Sequence, residues 1–555
     1  MKPTAYIAVA ALMCSASALA QNLSTEVQVD RTIEPAERAA TRPVGLFPQL
    51  MLTKTTPVQL NTANYIQLAT IDRTFPLLYP QAAPCTPTDD GYRGYVSLGY
   101  FPTYNLGLTA GYRPIQSQST ILDVWGDFRG ESYEPHGLKN SLNGGGLGSA
   151  LVFKPNAASQ LTANAALHLD SHKYLAGLYK QSRTNGELSA MWTSSVESLD
   201  YHARAGVLFN SYGDVSSELT GANPAFGLSE QLVDLGIGAA LPVADHAHFA
   251  IDLGFDLLHQ SSDTPKLEGQ DNSVSILSAV PAYRLRNGAF SANIGLRLDH
   301  ATGNGYNLCI SPDLRFGWEP AKTFAAELSF TGEQRLQPMA ELSQTVSQYL
   351  FATQINNYVA RRLGGELRLR VGPFQGFAIE AFGGYDGVDN YLMPDLYTLQ
   401  FDPIHGFNGA IVDPMAAFNV QDIKGWHAGV NFTYSTRLFD ANLGFEAAPS
   451  DGDEAYYLRR DRAQYVVTAG VQTRPIDKLE VGLNYEFRNH RLGYYIYDTE
   501  HLGCVSNLGL NAAYRFTPRL SFFANLENLL CRRYQVVPGL VSQSLHGLVG
   551  ATLRF

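Results

Sequence analysis

Charge is scarce in this chain: only 16% of its 555 residues are Asp, Glu, Lys or Arg. A water-soluble protein usually carries about a quarter. Aromatics reach 11% and the 28 prolines are ordinary, which excludes a disordered chain. The 50 glycines show no three-residue period, which excludes collagen. Beyond the first 20 residues no stretch reaches 18 apolar residues free of charge, which excludes membrane-spanning helices there. Basic charge is shorter still: 40 Lys and Arg face 51 Asp and Glu, leaving no basic surface for nucleic acid. The length alone would suit about three or four globular domains. Low charge with 50 Gly and 30 Tyr points instead to one large β structure.

Cysteine is sparse too, and it bears on the compartment. Residues 1–20 read as a secretory signal peptide: Lys2 gives the positive start, Tyr6 to Met13 the apolar core. Ala18-Leu19-Ala20 before Gln21 has the small-x-small form of a cleavage site. Ala-Leu-Met before Cys14 is a poor lipidation box, so ordinary cleavage is expected. Four cysteines remain: Cys85, Cys309, Cys504 and Cys531. No CxxC pair occurs, so zinc and redox readings have little support. Cys504 and Cys531 sit on nearly adjacent candidate strands; a disulfide there stays open beside the simpler unpaired state.

What the chain has is strict two-residue alternation. Leu106, Leu108, Ala110 and Tyr112 alternate with Asn105, Gly107, Thr109 and Gly111. Ala247, Phe249, Ile251, Leu253 and Phe255 alternate with His246, His248, Ala250, Asp252 and Gly254. Trp426 to Ser435 and Val481 to Arg488 repeat the pattern. Each such strand has one apolar and one polar or small face. A soluble sandwich can alternate too. Here the polar face is rich in Gly, Ser, Asn and Thr, and aromatics such as Tyr494, Tyr495 and Tyr497 cluster at strand ends. Connections also alternate between short and long, which is the rhythm of an all-β transmembrane barrel in an outer membrane.

Short connections fall at 114–119, 154–159, 194–200, 241–246, 284–288, 318–321, 371–376, 434–440, 473–479 and 516–520. The ten hairpins they join, with a strand near 93–101 and another near 545–555, predict 22 antiparallel strands. An even count puts both ends of the barrel on the periplasmic side, and makes 333–362, 386–424 and 449–462 extracellular connections. On the last strand Leu545, Gly547, Val549, Ala551, Leu553 and Phe555 form the outward face. His546, Leu548, Gly550, Thr552 and Arg554 form the inward one. It must close on the first strand, since an open edge in lipid leaves backbone groups unpaired.

The run Ser521 to Tyr534 holds Asn528-Leu529-Leu530-Cys531-Arg532-Arg533-Tyr534, followed by Pro538-Gly539 and the terminal Phe555. It resembles the end of a TonB-dependent receptor barrel, where an Asn-Leu-Leu-x-x-x-Tyr run precedes the last strand. The final aromatic is similar to the signal read by the outer-membrane barrel assembly machinery. The resemblance covers roughly 93–555 and implies a 22-strand barrel. The style of the whole is similar to barrels of the Bacteroides and Porphyromonas group. One departure stands out: the family's plug takes roughly 130–150 residues, and only 21–92 precede this barrel. No Gly-rich plug-like pattern appears there. That stretch is expected to be a periplasmic segment whose Pro-rich part enters the barrel mouth. Thr25-Glu-Val-Gln-Val29 weakly resembles the segment that pairs with TonB, although five such residues arise often by chance.

No chemistry-bearing constellation stands out. No Gly-x-Ser-x-Gly motif sits in a strand-turn-helix setting, and Gly144 to Gly148 lacks the Lys-Ser of a phosphate loop. His246, His248, Asp252 and Asp256 share one face; they can hold a metal, but such residues more often line a wet interior. Asp451-Gly452-Asp453-Glu454 lacks the complete calcium-loop spacing and reads as a solvated loop. Asp386, Asp389 and Asp395 carry the same ambiguity. Arg459, Arg460 and Arg462 suit lipopolysaccharide phosphates or a salt bridge to Asp461. No catalytic residue, metal ligand or cofactor is expected.

Twenty-two strands enclose a wide lumen. Something must fill it: residues 21–92, a partner, or inward-folded loops such as 333–362 and 386–424, whose Tyr, Phe and Gln suit packing or ligand contact. The short leading segment points first to a structural or accessory subunit of an outer-membrane assembly or secretion complex. Its partners would be lipid, lipopolysaccharide, the assembly machinery and other outer-membrane or periplasmic proteins. The alternative is nutrient transport by a plugless or divergent receptor-like channel in a Gram-negative outer membrane. A surface enzyme ranks far lower.

Overall fold

The computed structural model describes residues 91–555 except 134–138, 175–178, 197–198, 215, 218–226, 263–272, 306, 346–349, 352–357, 400–410, 449–462, 496–497 and 538–539. The signal segment, Thr25 to Val29 and the rest of 21–90 lie outside the described residues, as do Cys85, Asp451 to Glu454 and the arginines at 459, 460 and 462.

The wall opens with β1 (Gly94–Phe101), β2 (Asn105–Gln116), β3 (Thr120–Tyr133), β4 (Asn140–Asn156), β5 (Ser159–Tyr174) and β6 (Tyr179–Val196). It continues through β7 (Leu199–Tyr212), β8 (Leu228–Ala244), β9 (Ala247–Ser262), β10 (Ser273–Asn287), β11 (Phe290–Ala301) and β12 (Leu308–Ala321). Next come β13 (Phe324–Arg335), β14 (Ala360–Phe374), β15 (Phe377–Leu399), β16 (Ile411–Ser435) and β17 (Phe439–Ala447). It ends with β18 (Ala463–Ile476), β19 (Leu479–Tyr495), β20 (Val505–Arg515), β21 (Leu520–Glu527) and β22 (His546–Arg554). Each pairs antiparallel with the next, and β22 pairs with β1, so the 22-strand barrel is closed.

All ten expected hairpins form, several across two residues. Between β14 and β15 the turn is Gln375-Gly376, both at positive φ (50° and 92°), the backbone that matches strand twist in a two-residue hairpin. One expectation fails. Residues 386–424 are not a loop: β15 and β16 run 23 and 25 residues and stay paired almost to 400–410. A membrane crossing needs about 9–11 residues. The excess length carries this hairpin beyond the lipid, where pairing still satisfies its backbone groups.

Alternation sets the two faces. Leu235, Ile237, Leu241 and Val243 on β8 are exposed, as are Phe249, Ile251 and Leu253 on β9. Around the barrel these form a continuous apolar belt, which no soluble monomer would present to water. Next to the periplasmic turns the belt becomes aromatic: Tyr112, Trp318, Phe374, Phe377, Tyr434, Phe439, Phe516, Phe522 and Phe555 are all exposed. Such girdles sit at the membrane interface. The barrel therefore has the surface of an outer-membrane barrel.

The closing seam is built locally. Gly99 and Gly550 face each other across β1 and β22, and the buried Phe523 ring lies over them. Leu548, the apolar exception on the inward face, is fully buried beside that ring. The Phe555 carbonyl accepts hydrogen bonds from Arg93 N (2.9 Å) and Gly94 N (2.8 Å), and its ring stacks on Tyr112 at 6.4 Å.

Candidate functional site: the lumen wall and an inward-folded segment

Inward side chains pair with one another along the wall. Arg113 and Asp123 form a buried bidentate pair across β2 and β3, Nε to Oδ1 at 2.7 Å and Nη2 to Oδ2 at 2.8 Å. Arg129 and His168 both reach Asp170, at 3.3 and 3.2 Å. Arg297 grips Asp299 at 2.9 Å, and Asp299 also accepts Gln334 N at 2.8 Å. On β14 to β16, Arg368 bridges Glu366 and Glu380 at 2.8 Å each, His427 approaches Glu366 at 3.3 Å, and Arg362 pairs with Asp386 at 2.7 Å. Arg368 also lies over the Phe382 ring, 5.4 Å from its centroid.

Glycine on the same face makes this possible. Gly238 on β8 lies between His202 on β7 and Asp252 on β9, which meet above it at 3.3 Å. A side chain at 238 would occupy that space. The charged groups therefore lie along the wall and neutralise each other instead of crowding the lumen. The abundance of inward Gly, read in the sequence as a small face, has this physical use.

The four acid and imidazole groups considered for metal resolve differently. Asp252 is held by His202 and by Arg284 (3.1 Å), while His246 falls in the turn before β9. Among the described residues no group of three or more potential ligands gathers. Asp386 pairs with Arg362; Asp389 sits opposite Arg361 in register, and Asp395 lies further along β15. Cys309, Cys504 and Cys531 are unpaired, so the 504–531 disulfide does not form.

One connection folds back onto the inner wall. After β13, Leu336 to Thr345 crosses toward β8, with α1 spanning Met339–Thr345. Glu230, buried on the inner face of β8, accepts hydrogen bonds from Met339 N (2.8 Å), Ala340 N (2.6 Å), Asn210 Nδ2 (2.7 Å) and Gln260 Nε2 (3.2 Å). Gln337 ties the other side: its amide donates to Asn390 O at 2.8 Å, and its oxygen accepts Leu392 N at 2.8 Å. Between these anchors Leu336 and Val359 pack on Leu258, Val274, Ile276 and Ala301, all buried. Those wall positions face inward yet are apolar. That is a sequence signal for a docked segment, and reading them only as alternation overlooked it.

The receptor-like motif builds the last extracellular connection. Asn528, fully buried with φ 54°, donates to Arg532 O (2.6 Å) and Gln543 O (2.7 Å) and accepts from Arg532 N (3.0 Å). Leu529 N bonds Leu508 O at 2.9 Å. Leu530 is exposed, and Tyr534 is buried with its backbone N donating to Ser542 Oγ at 3.2 Å. Phe555 lies apart from these four, at the seam in the periplasmic girdle.

A closed 22-strand wall, a lipid-facing apolar belt and a charged, glycine-padded lumen define a receptor-sized outer-membrane β-barrel, as the terminal motif implied. No family model and no curated protein matches the sequence. Solved structures do. The ferric enterobactin receptor PfeA of Pseudomonas aeruginosa, a mutant in complex with enterobactin, aligns with TM-score 0.60 and 13% identity over 86% of this chain and 82% of that one. The siderophore receptor PirA of Acinetobacter baumannii aligns at 0.61 and 9% identity, covering 84% and 80%. The FrpB iron transporter of Neisseria meningitidis aligns at 0.62 and 11%, covering 84% and 82%. Identity this low establishes a shared fold. By description these neighbours are receptors and a transporter.

Proposed function

We propose that this protein takes up a solute through its lumen, as a receptor-type outer-membrane transporter, with an iron chelate as the first solute class to test. The inner wall carries the reading. Asp234 and Arg284 face inward and are 38% and 50% exposed, so water reaches the lumen beside β8 and β10. A lumen that water enters beside charged side chains is the minimum that a solute path requires. The iron-chelate class comes from the matched structures, whose descriptions name enterobactin, siderophores and iron.

The test uses cells that express the full chain and a matched strain without it. Accumulation of radio-iron supplied as a neutral trihydroxamate chelate, and as enterobactin, citrate and haem, is followed over time. Uptake of at least one chelate that depends on the protein supports the reading. Absence of any protein-dependent uptake, together with stoichiometric co-purification in an assembly or secretion complex, refutes it and restores the accessory role.

A further inference from the structure

The proposed uptake leaves open where in the lumen a solute would travel. Burial changes steeply along four neighbouring strands. At their extracellular ends the inward residues are closed off: Asn210 and Tyr212 on β7, Leu228 and Glu230 on β8, Leu258 and Gln260 on β9, Val274 and Ile276 on β10. Further down the same inward faces, Arg204 is 46% exposed and Asp252 33%, beside Asp234 and Arg284. The wall near the seam shows no such opening. Arg113 and Asp123 stay buried even at the periplasmic end of β2 and β3. Water therefore reaches the lumen along this strip, which stops beneath Leu336 to Thr345; Arg368 and Glu380 on β14 and β15, 39% and 32% exposed, are open as well but lie away from the Glu230 anchor.

Resting on the transport reading, we propose that the strip along β7 to β10 is the solute path and that Leu336 to Thr345 is its outer gate. Glu230 is the positioning residue of that gate. Its carboxylate gathers two backbone N–H groups of the segment and two wall amides, so it holds the segment against the apolar inner patch. Gln337 holds the opposite edge. The strip presents His202, Arg204 and Arg284 interleaved with Asp234 and Asp252. A strongly anionic or cationic solute would meet like charge at each step. Polar or zwitterionic solutes of low net charge find a partner of each sign.

The gate is tested in intact cells carrying the full chain with Cys85→Ser, Cys309→Ser, Cys504→Ser and Cys531→Ser. Ser278→Cys, itself buried on the inward face of β10 at the lower edge of the closed patch, reports access by a membrane-impermeant maleimide. Thr109→Cys, at the seam, is the control. Glu230→Ala should raise the labelling rate at 278 at least tenfold and leave 109 unchanged. Gln337→Ala should do the same to a smaller degree. Unchanged labelling at 278 in both variants, with the heat-modifiable band of a folded barrel intact, overturns the gate. Glu230→Gln serves if the Ala variant does not fold. The path is tested by swelling of liposomes holding the Glu230→Ala protein, with triglycine, triglutamate and trilysine as solutes. Triglycine should enter several-fold faster than either charged peptide; equal or slower entry overturns the charge assignment. Faster labelling with no entry of any peptide refutes the path and leaves the segment as a brace of the wall, while the uptake reading stands or falls on the chelate assay in cells.

Discussion

Replacing Gly550 by Ala should weaken the barrel at its seam. Gly550 lies opposite Gly99 in the six-pair register that joins β22 to β1, while β15 and β16 share 20 pairs. A Cβ at 550 would overlap the Leu98 carbonyl oxygen and lie 2.7 Å from Gly99 Cα and from the Phe523 ring. The ring can tilt, but the backbone can yield only by moving β22 away from β1. Overpacking of this kind costs roughly 1–3 kcal/mol. Losing one or two seam hydrogen bonds adds about 0.5–1.5 kcal/mol each. The expected loss is therefore about 1.5–6 kcal/mol, placed on an interface of only six pairs. The assay is the temperature at which the purified barrel loses its fast-migrating band in unboiled gels. Backbone exchange at Val96 to Tyr100 locates the effect. Gly482→Ala is the control, since the nearest atom to a Cβ there is Val471 O at 3.7 Å. If Gly550→Ala melts with the wild type, or if the Gly482 variant falls equally, the steric argument is wrong.

Two further outcomes follow from buried polar contacts. Arg113→Ala leaves the Asp123 carboxylate buried without its bidentate partner, and breaking such a pair typically costs about 3–5 kcal/mol. Arg113→Met with Asp123→Leu should recover much of that loss in the same gel assay, and a double variant as weak as the single one would contradict it. Asn528→Ala removes three hydrogen bonds and leaves a residue with a Cβ at φ 54°, so limited proteolysis should cut within 529–545 several-fold faster; Asn528→Gly keeps the backbone form and should loosen it less. Equal cutting rates for wild type and Asn528→Ala would remove the motif's role in ordering this connection.

The period of the sequence was sufficient for the wall. Phe249, Ile251 and Leu253 alternate with Ala250, Asp252 and Gly254, and a strand has no other way to present those two sets than on opposite faces. Ten short turns then set the strand number, and the cost of an open edge in lipid required β22 to meet β1. Alternation says nothing of where a strand stops pairing, which is why 386–424 reads as a loop and folds as a hairpin. Nor does it say which distant groups meet. Glu230 and Met339 are 109 residues apart, and neither carries a local pattern that names the other. Asp252 looks like a metal ligand beside His248 until the wall brings His202 and Arg284 to it from the flanking strands. Sequence determined what is short-range and periodic: faces, turns and the closed sheet. Only the tertiary structure decided which buried donors find which acceptors across the lumen, because those contacts form after the barrel has curved its strands around on one another.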